Sequence, residues 1–149
     1  VLRDVLSGKP TPKTTELAIT TSSGAFSAGG TSGAAGIPTS TALGGSAAKN
    51  KAIGAALATA YGWGPGTSNW TNLVALWAQE SGWDNKARNS SSGAYGIPQS
   101  LPASKMGTLA NPPVSSAGAQ IAWGLKYIKQ TYGTPDKAWG GYWQRGGWY

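Results

Sequence analysis

Apolar residues between Trp70 and Trp77 recur at the spacing of one helical face. In the stretch N-W-T-N-L-V-A-L-W-A-Q-E-S-G-W, residues 69 to 83, Trp70, Leu73, Val74 and Trp77 stand at i, i+3, i+4 and i+7, which predicts an amphipathic helix. Ser68 or Asn69 can cap its start, since a short polar side chain there accepts a bond from an N–H of the first turn. Gly82 can end it in a left-handed conformation. Glu80 lies three residues after Trp77, four after Leu76 and seven after Leu73. The pattern therefore puts a carboxylate at the C-terminal end of the apolar stripe, on the side that faces the core. The alternative is a rim residue whose side chain bends into solvent.

The same pattern yields further elements. Ser46 to Tyr61 reads as a helix capped by Ser46, with Ile53, Ala56, Leu57, Ala60 and Tyr61 inward; Gly62 stops it and G-W-G-P-G makes a turn. About Ala117 to Tyr132 is the last long helix, capped by Ser115 or Ser116. Ile121, Leu125, Ile128 and Tyr132 are its core stripe, Gln120, Trp123 and Tyr127 a row beside it, and Lys126 and Lys129 its solvent side. Residues 83 to 100 form a polar loop region. A short turn or helix is expected around Ser104 to Leu109, and another helix near Asp136 to Trp143. The sum is a mainly α domain over residues 46–149, large enough to bury a core.

The pattern is absent upstream. Residues 1–20 hold two short β-like runs around the turn-rich S-G-K-P-T-P-K, and read as an extended arm or the end of an upstream domain. Residues 21–45 are mostly Gly, Ser, Thr and Ala, with no charge and one aromatic. Burial there cannot offset the ordering entropy of the backbone, so the segment reads as a flexible linker; the alternative is an ordered loop packed on a larger assembly. The chain begins with Val and lacks the long apolar core of a secretory signal at its start, as a processed or excised piece would.

Composition narrows the chemistry. The chain of 149 residues has no His and no Cys, which excludes His-based triads, thiol nucleophiles, thiolate metal sites and disulfides. No cofactor or metal is expected. No stretch is long and apolar enough to span a membrane, so no membrane insertion is expected. The net charge of +7 favours a polyanionic partner, but the cations are scattered singly or in loose pairs, which argues against nucleic acid. All eight Trp and all six Tyr lie between Tyr61 and Tyr149, a region with three acids: Glu80, Asp84 and Asp136. Asp136 follows Thr-Pro and reads as a turn cap; Asp84 lies beyond Gly82 and reads as solvated or capping. Glu80 is left as the candidate acid. A helix C-terminus and apolar neighbours both disfavour an ionised carboxylate, and a general acid needs a carboxyl that keeps its proton near neutral pH.

The stretch S-S-S-G-A-Y-G-I-P-Q-S, Ser90 to Ser100, follows. Taken alone it is an ordinary Gly-rich turn or hairpin. Taken in series, Glu80-Ser81, then Gly93-Ala94-Tyr95-Gly96-Ile97-Pro98-Gln99, then Tyr127 on the last long helix resembles the lytic transglycosylase motifs. The closest likeness is to the transglycosylase-like domains of secreted actinobacterial wall enzymes and of phage tail proteins. Pro98 stands where that family usually has Met, and removes one backbone N–H from the loop. The resemblance covers about residues 46 to 149. It implies a lysozyme-like fold, cleavage of the MurNAc–GlcNAc β-1,4 bond of peptidoglycan glycan strands, and an extracellular, wall-associated or virion-tail location, with attachment to an upstream domain or virion through the N-terminal arm. It implies Glu80 as general acid and then base, with Ser81, Asn89, Ser90, Tyr95, Gln99 and Tyr127 binding substrate or supporting the site: Asn89 or Ser90 polarising the sugar, Gln99 and Tyr127 holding Glu80 or the sugar. One carboxyl suffices if the substrate's own C6 hydroxyl attacks the anomeric carbon, whereas a two-carboxylate glycosidase needs a second acid across the bond. A muramidase using water and a non-catalytic glycan-binding module are the competing expectations.

Overall fold

The computed structural model describes residues 42–107 and 116–149. The arm, most of the linker, the Leu109 end of the short helix and Ser115 lie outside the described residues. The described chain is mainly α: α1 (Ala47–Thr59), α2 (Ser68–Ser81), a 3-10 turn (Ala103–Met106), α3 (Ala117–Thr131) and α4 (Pro135–Gly140). Among the described residues the only strand-like pairings are two isolated antiparallel bridges, Arg88 with Tyr95 and Tyr95 with Ser100.

Each helix begins at a hydroxyl. Ser46 Oγ accepts from the Lys49 N–H, Thr67 from Trp70, Ser116 from Ala119 and Thr134 from Lys137, each satisfying one orphan donor of a first turn. The α2 cap differs from the expected Ser68 or Asn69. Those two side chains serve α4 instead: Ser68 Oγ donates to Asp136 Oδ2 at 2.7 Å, and Asn69 Oδ1 accepts from the Asp136 N–H at 3.1 Å. Asn72 donates to the other Asp136 oxygen at 2.7 Å. Asp136 sits in the first turn of α4, where the helix end favours a negative charge, and joins α4 to the start of α2. Gly82 ends α2 as expected, at φ 62, with its N–H on Ala78 O.

The helices pair α2 with α4 and α1 with α3, and α1 also meets α2. Leu73, Leu76 and Trp77 of α2 and Ile121, Leu125 and Ile128 of α3 are fully buried in one core. Gln120, Trp123 and Tyr127 are buried too, so α3 is enclosed on two rows rather than one. Lys129 is exposed as expected, while Lys126 is half-buried. The inward face of α1 is smaller than its pattern predicts. Asn50, Ile53, Gly54 and Ala58 are buried, Ala56 and Leu57 only half so, and Ala60 and Tyr61 are exposed. α1 ends at Thr59, which leaves Ala60 and Tyr61 outside it, and the Trp83 indole fills the face at Gly54, where an added Cβ would lie 2.7 Å from it. Beyond Thr59 the chain leaves the helix. Trp63 N–H turns back to Ala58 O, and Tyr61 stacks on Trp63 at 4.7 Å.

Residues 42–45 also belong to this body. Gly118 and Ala117, in the first turn of α3, donate to Ala42 O (2.8 Å) and Leu43 O (3.2 Å), and Gly45 N–H donates to Asn50 Oδ1 (2.9 Å). The ordered domain therefore reaches back at least to Ala42, four residues before the boundary drawn from the pattern.

Candidate functional site: Glu80 and the residues around it

Glu80 occupies the last turn of α2. It is 8% exposed, and both carboxyl oxygens are closed off from solvent. Taking a carboxylate out of water costs several kcal/mol unless the site compensates it. Two tyrosines from the C-terminal segment face it. Burial pushes the Tyr142 hydroxyl well above its ordinary pKa; the negative charge of Glu80 adds to this, and so does hydrogen bonding between the two side chains. Tyr149 is raised for the same first two reasons, with the Trp77 hydrogen bond acting the other way. Both hydroxyls therefore keep their protons through neutral pH, and Tyr142 is the one that hydrogen-bonds the carboxyl.

Tyr149 is held in place from two sides. Its hydroxyl accepts from Trp77 Nε1 at 2.7 Å and donates to Pro98 O at 3.1 Å. Pro98 thus contributes its carbonyl. Tyr127 packs behind, its ring edge-on to Tyr149 at 5.8 Å and stacked on Trp123 at 5.1 Å. It belongs to the same aromatic cluster as the acid, one ring further in.

Ser81 joins α2 to the loop that follows. Its Oγ lies 2.8 Å from Ile97 O and 3.2 Å from Trp77 O. The loop is then fixed by amides. Gln120, from α3, accepts the Ile97 N–H at 2.9 Å and donates to Asn85 O at 2.8 Å. Asn50, from α1, donates to Trp83 O at 2.8 Å and to Asn85 Oδ1 at 3.0 Å. Gly96 is required twice over: its φ is +76, and an added Cβ would lie 2.5 Å from the Gln120 amide. Gln99 Nε2 donates to Gly96 O at 2.9 Å and Ala87 O at 3.2 Å, so the group this side chain holds is the loop itself. Tyr95 pairs with Ser100 through both backbone bonds, at 3.0 Å each, and its half-buried ring packs on the core. Asn89 Oδ1 accepts the N–H groups of Ser91 (3.0 Å) and Ser92 (2.9 Å). It shapes the turn on which Ser90 is exposed.

The structure thus ties Ser81 to the loop that carries Gln99 and sets Tyr127 against Tyr149, one of the two tyrosines that face Glu80. It gives Gln99 and Asn89 bonds to backbone, and it adds Tyr142 and Tyr149, which no spacing in the sequence singled out. The other acids are engaged elsewhere. Asp84 is exposed, and its Oδ1 accepts the Lys86 N–H at 2.8 Å. Asp136 is tied to Ser68 and Asn72, and Asn72 is about 12 Å along the helix axis from Glu80 at 1.5 Å rise per residue. Among the described residues no three His, Cys, Asp or Glu side chains gather as a metal site, and no helix is long and apolar enough to cross a membrane.

The fold and site define a small mainly helical domain with one buried carboxyl at a helix end, two tyrosines of the C-terminal segment facing it, and a Gly-rich loop bonded to the adjoining Ser81. No family model, curated protein or solved structure matches the chain.

Proposed function

We propose that this domain is a peptidoglycan lytic transglycosylase of lysozyme-like fold, cutting the MurNAc–GlcNAc β-1,4 bond of wall glycans with Glu80 as general acid and then base. The observation that carries it is the solitary carboxyl. Glu80 is buried at the end of α2, while Asp84 and Asp136, the other acids of the described residues, are held at a surface turn and at the far end of α2. A two-carboxylate mechanism would need a partner roughly 5–9.5 Å away. A single carboxyl fits a reaction in which the substrate supplies its own nucleophile.

The Glu80 proton passes to the glycosidic oxygen, and that oxygen leaves as the 4-hydroxyl of GlcNAc. The C6 hydroxyl oxygen of MurNAc bonds to its own C1. The proton of that hydroxyl passes to the Glu80 carboxylate, which restores the acid. The products are one strand that ends in 1,6-anhydroMurNAc and a second whose terminal GlcNAc carries a free 4-hydroxyl, and no water is consumed. The net positive charge of the chain suits an anionic wall, and this substrate places the domain outside the cell, on a wall enzyme or a virion tail.

One observation favours a second reading, a non-catalytic glycan-binding module: both Glu80 oxygens are closed off in this structure. Glu80→Gln separates the two. It keeps shape and hydrogen bonding but can neither give nor take a proton, so turnover of purified walls should fall by at least about 10²–10⁴. Equal behaviour of the folded variant and the parent would support the binding module.

A further inference from the structure

The aromatic residues of the C-terminal segment part company at Tyr142. Tyr142 and Tyr149 are buried and face Glu80, while Trp143, the next residue, leaves 63% of its surface to solvent. Single exposed apolar residues are ordinary, but this indole is braced. Its ring stands edge-on to Tyr142 at 5.0 Å and 84°, and to Trp139 at 6.3 Å and 65°. Tyr142 and Trp139 are themselves stacked at 5.3 Å. The ground beside it is bare: Gly146 is exposed, and Gly147 passes the edges of Trp143 and Tyr142 at 3.7 and 3.8 Å, measured from where a Cβ would stand.

We propose that Trp143 is a stacking platform for one pyranose ring of the glycan, one ring further out than Tyr142 from the Glu80 carboxyl. This rests on the function proposed above. An indole face is electron-rich and meets the C–H face of a pyranose, while the sugar's hydroxyls stay in water around the rim. A single indole offers too little contiguous apolar area for a protein partner, whose interface buries about 800 Å² per side. A nucleobase could stack there but would need a cation for its phosphate. Arg145, the nearest cation in sequence, is turned inward: it bonds the carbonyls of Ala138 and Trp148 and lies over the Tyr132 ring.

The test titrates uncrosslinked glycan strands from purified peptidoglycan into the full chain carrying Glu80→Gln, which cannot consume them, and follows binding by calorimetry. Adding Trp143→Ala should weaken binding about tenfold, the loss typical of an aromatic anchor. Trp143→Tyr should retain most of the affinity. Tyr61→Ala, which alters the exposed aromatic that follows α1, should leave it unchanged. Undiminished affinity in Trp143→Ala would overturn the platform. So would an equal loss in Tyr61→Ala, or the absence of strand binding by the Glu80→Gln parent. Cleavage assayed separately with Glu80 intact distinguishes the two proposals. Cutting with Trp143-independent affinity removes the platform alone; Trp143-dependent affinity without cutting removes the transglycosylase reading alone.

Discussion

Gln120→Leu should destabilise the domain more than any surface change, and the structure sets the size. The Gln120 amide is fully buried on α3 and makes two buried bonds to the 83–100 loop, accepting from Ile97 N–H at 2.9 Å and donating to Asn85 O at 2.8 Å. Leu fills a similar volume and makes neither. Each backbone group that loses a buried partner costs about 1–3 kcal/mol, so the pair costs about 2–6 kcal/mol. That is a large share of the 5–15 kcal/mol typical of a folded domain. Urea denaturation, followed by tryptophan fluorescence, measures the change. Gln120→Glu refines the test: an ionised Glu still accepts from Ile97 but sets an oxygen against the Asn85 carbonyl. Its deficit should shrink as acid protonates the new carboxyl and restores a donor. If Gln120→Leu lay within about 0.5 kcal/mol of the parent, the loop would be held by something other than this amide.

Three further outcomes follow from the same geometry. Asp84→Asn should keep most of the cleavage activity, because Asp84 is exposed and only accepts the Lys86 N–H, a bond that Asn can also accept. A loss as deep as that of Glu80→Gln, in the same wall-digestion assay, would instead make Asp84 the second carboxylate of a hydrolase. Stability should fall as pH rises above about 10, the ordinary pKa of tyrosine in the unfolded chain. Burial and the Glu80 charge hold Tyr142 and Tyr149 protonated in the folded state, so between the unfolded and folded pKa values the folded chain binds more protons and loses stability with each step upward. Denaturation midpoints from pH 8 to 11 should show the decline, Tyr149→Phe should soften it, and a flat profile would contradict it. A chain that starts at residue 46 should be less stable than one that starts at residue 42 by about 1–3 kcal/mol, since it lacks the acceptors for Gly118 and Ala117 at the start of α3; equal melting of the two truncations would refute the role of residues 42–45.

What was legible in the sequence was local. The stripe Trp70, Leu73, Val74, Trp77 placed α2, and its continuation put Glu80 on the inward side, where it is buried. Gly82 in the left-handed region and Ser116 as a cap were readable for the same reason, since each acts within one turn of its own helix. The misplacements came from partners distant in sequence. Ser68 looked like a cap, but Asp136, across 68 positions, takes its hydroxyl and leaves the cap to Thr67. Tyr142 and Tyr149 carried no periodic signal, because a run of glycine-rich turns rather than a helix brings them to Glu80. Nothing in the order of residues marked Gln120 as the anchor of the Gly-rich loop, although its row beside the core stripe was visible.

The central claim is that one carboxyl serves both proton transfers and that the substrate's C6 hydroxyl is the nucleophile. The mass of the glycan ends released from purified peptidoglycan tests it most directly. Transglycosylation by Glu80 predicts 1,6-anhydroMurNAc ends, lighter by one water than hydrolysed ends, and predicts their disappearance in Glu80→Gln. Reducing MurNAc ends would contradict it: water would be the nucleophile, and Glu80 would be the acid of a muramidase.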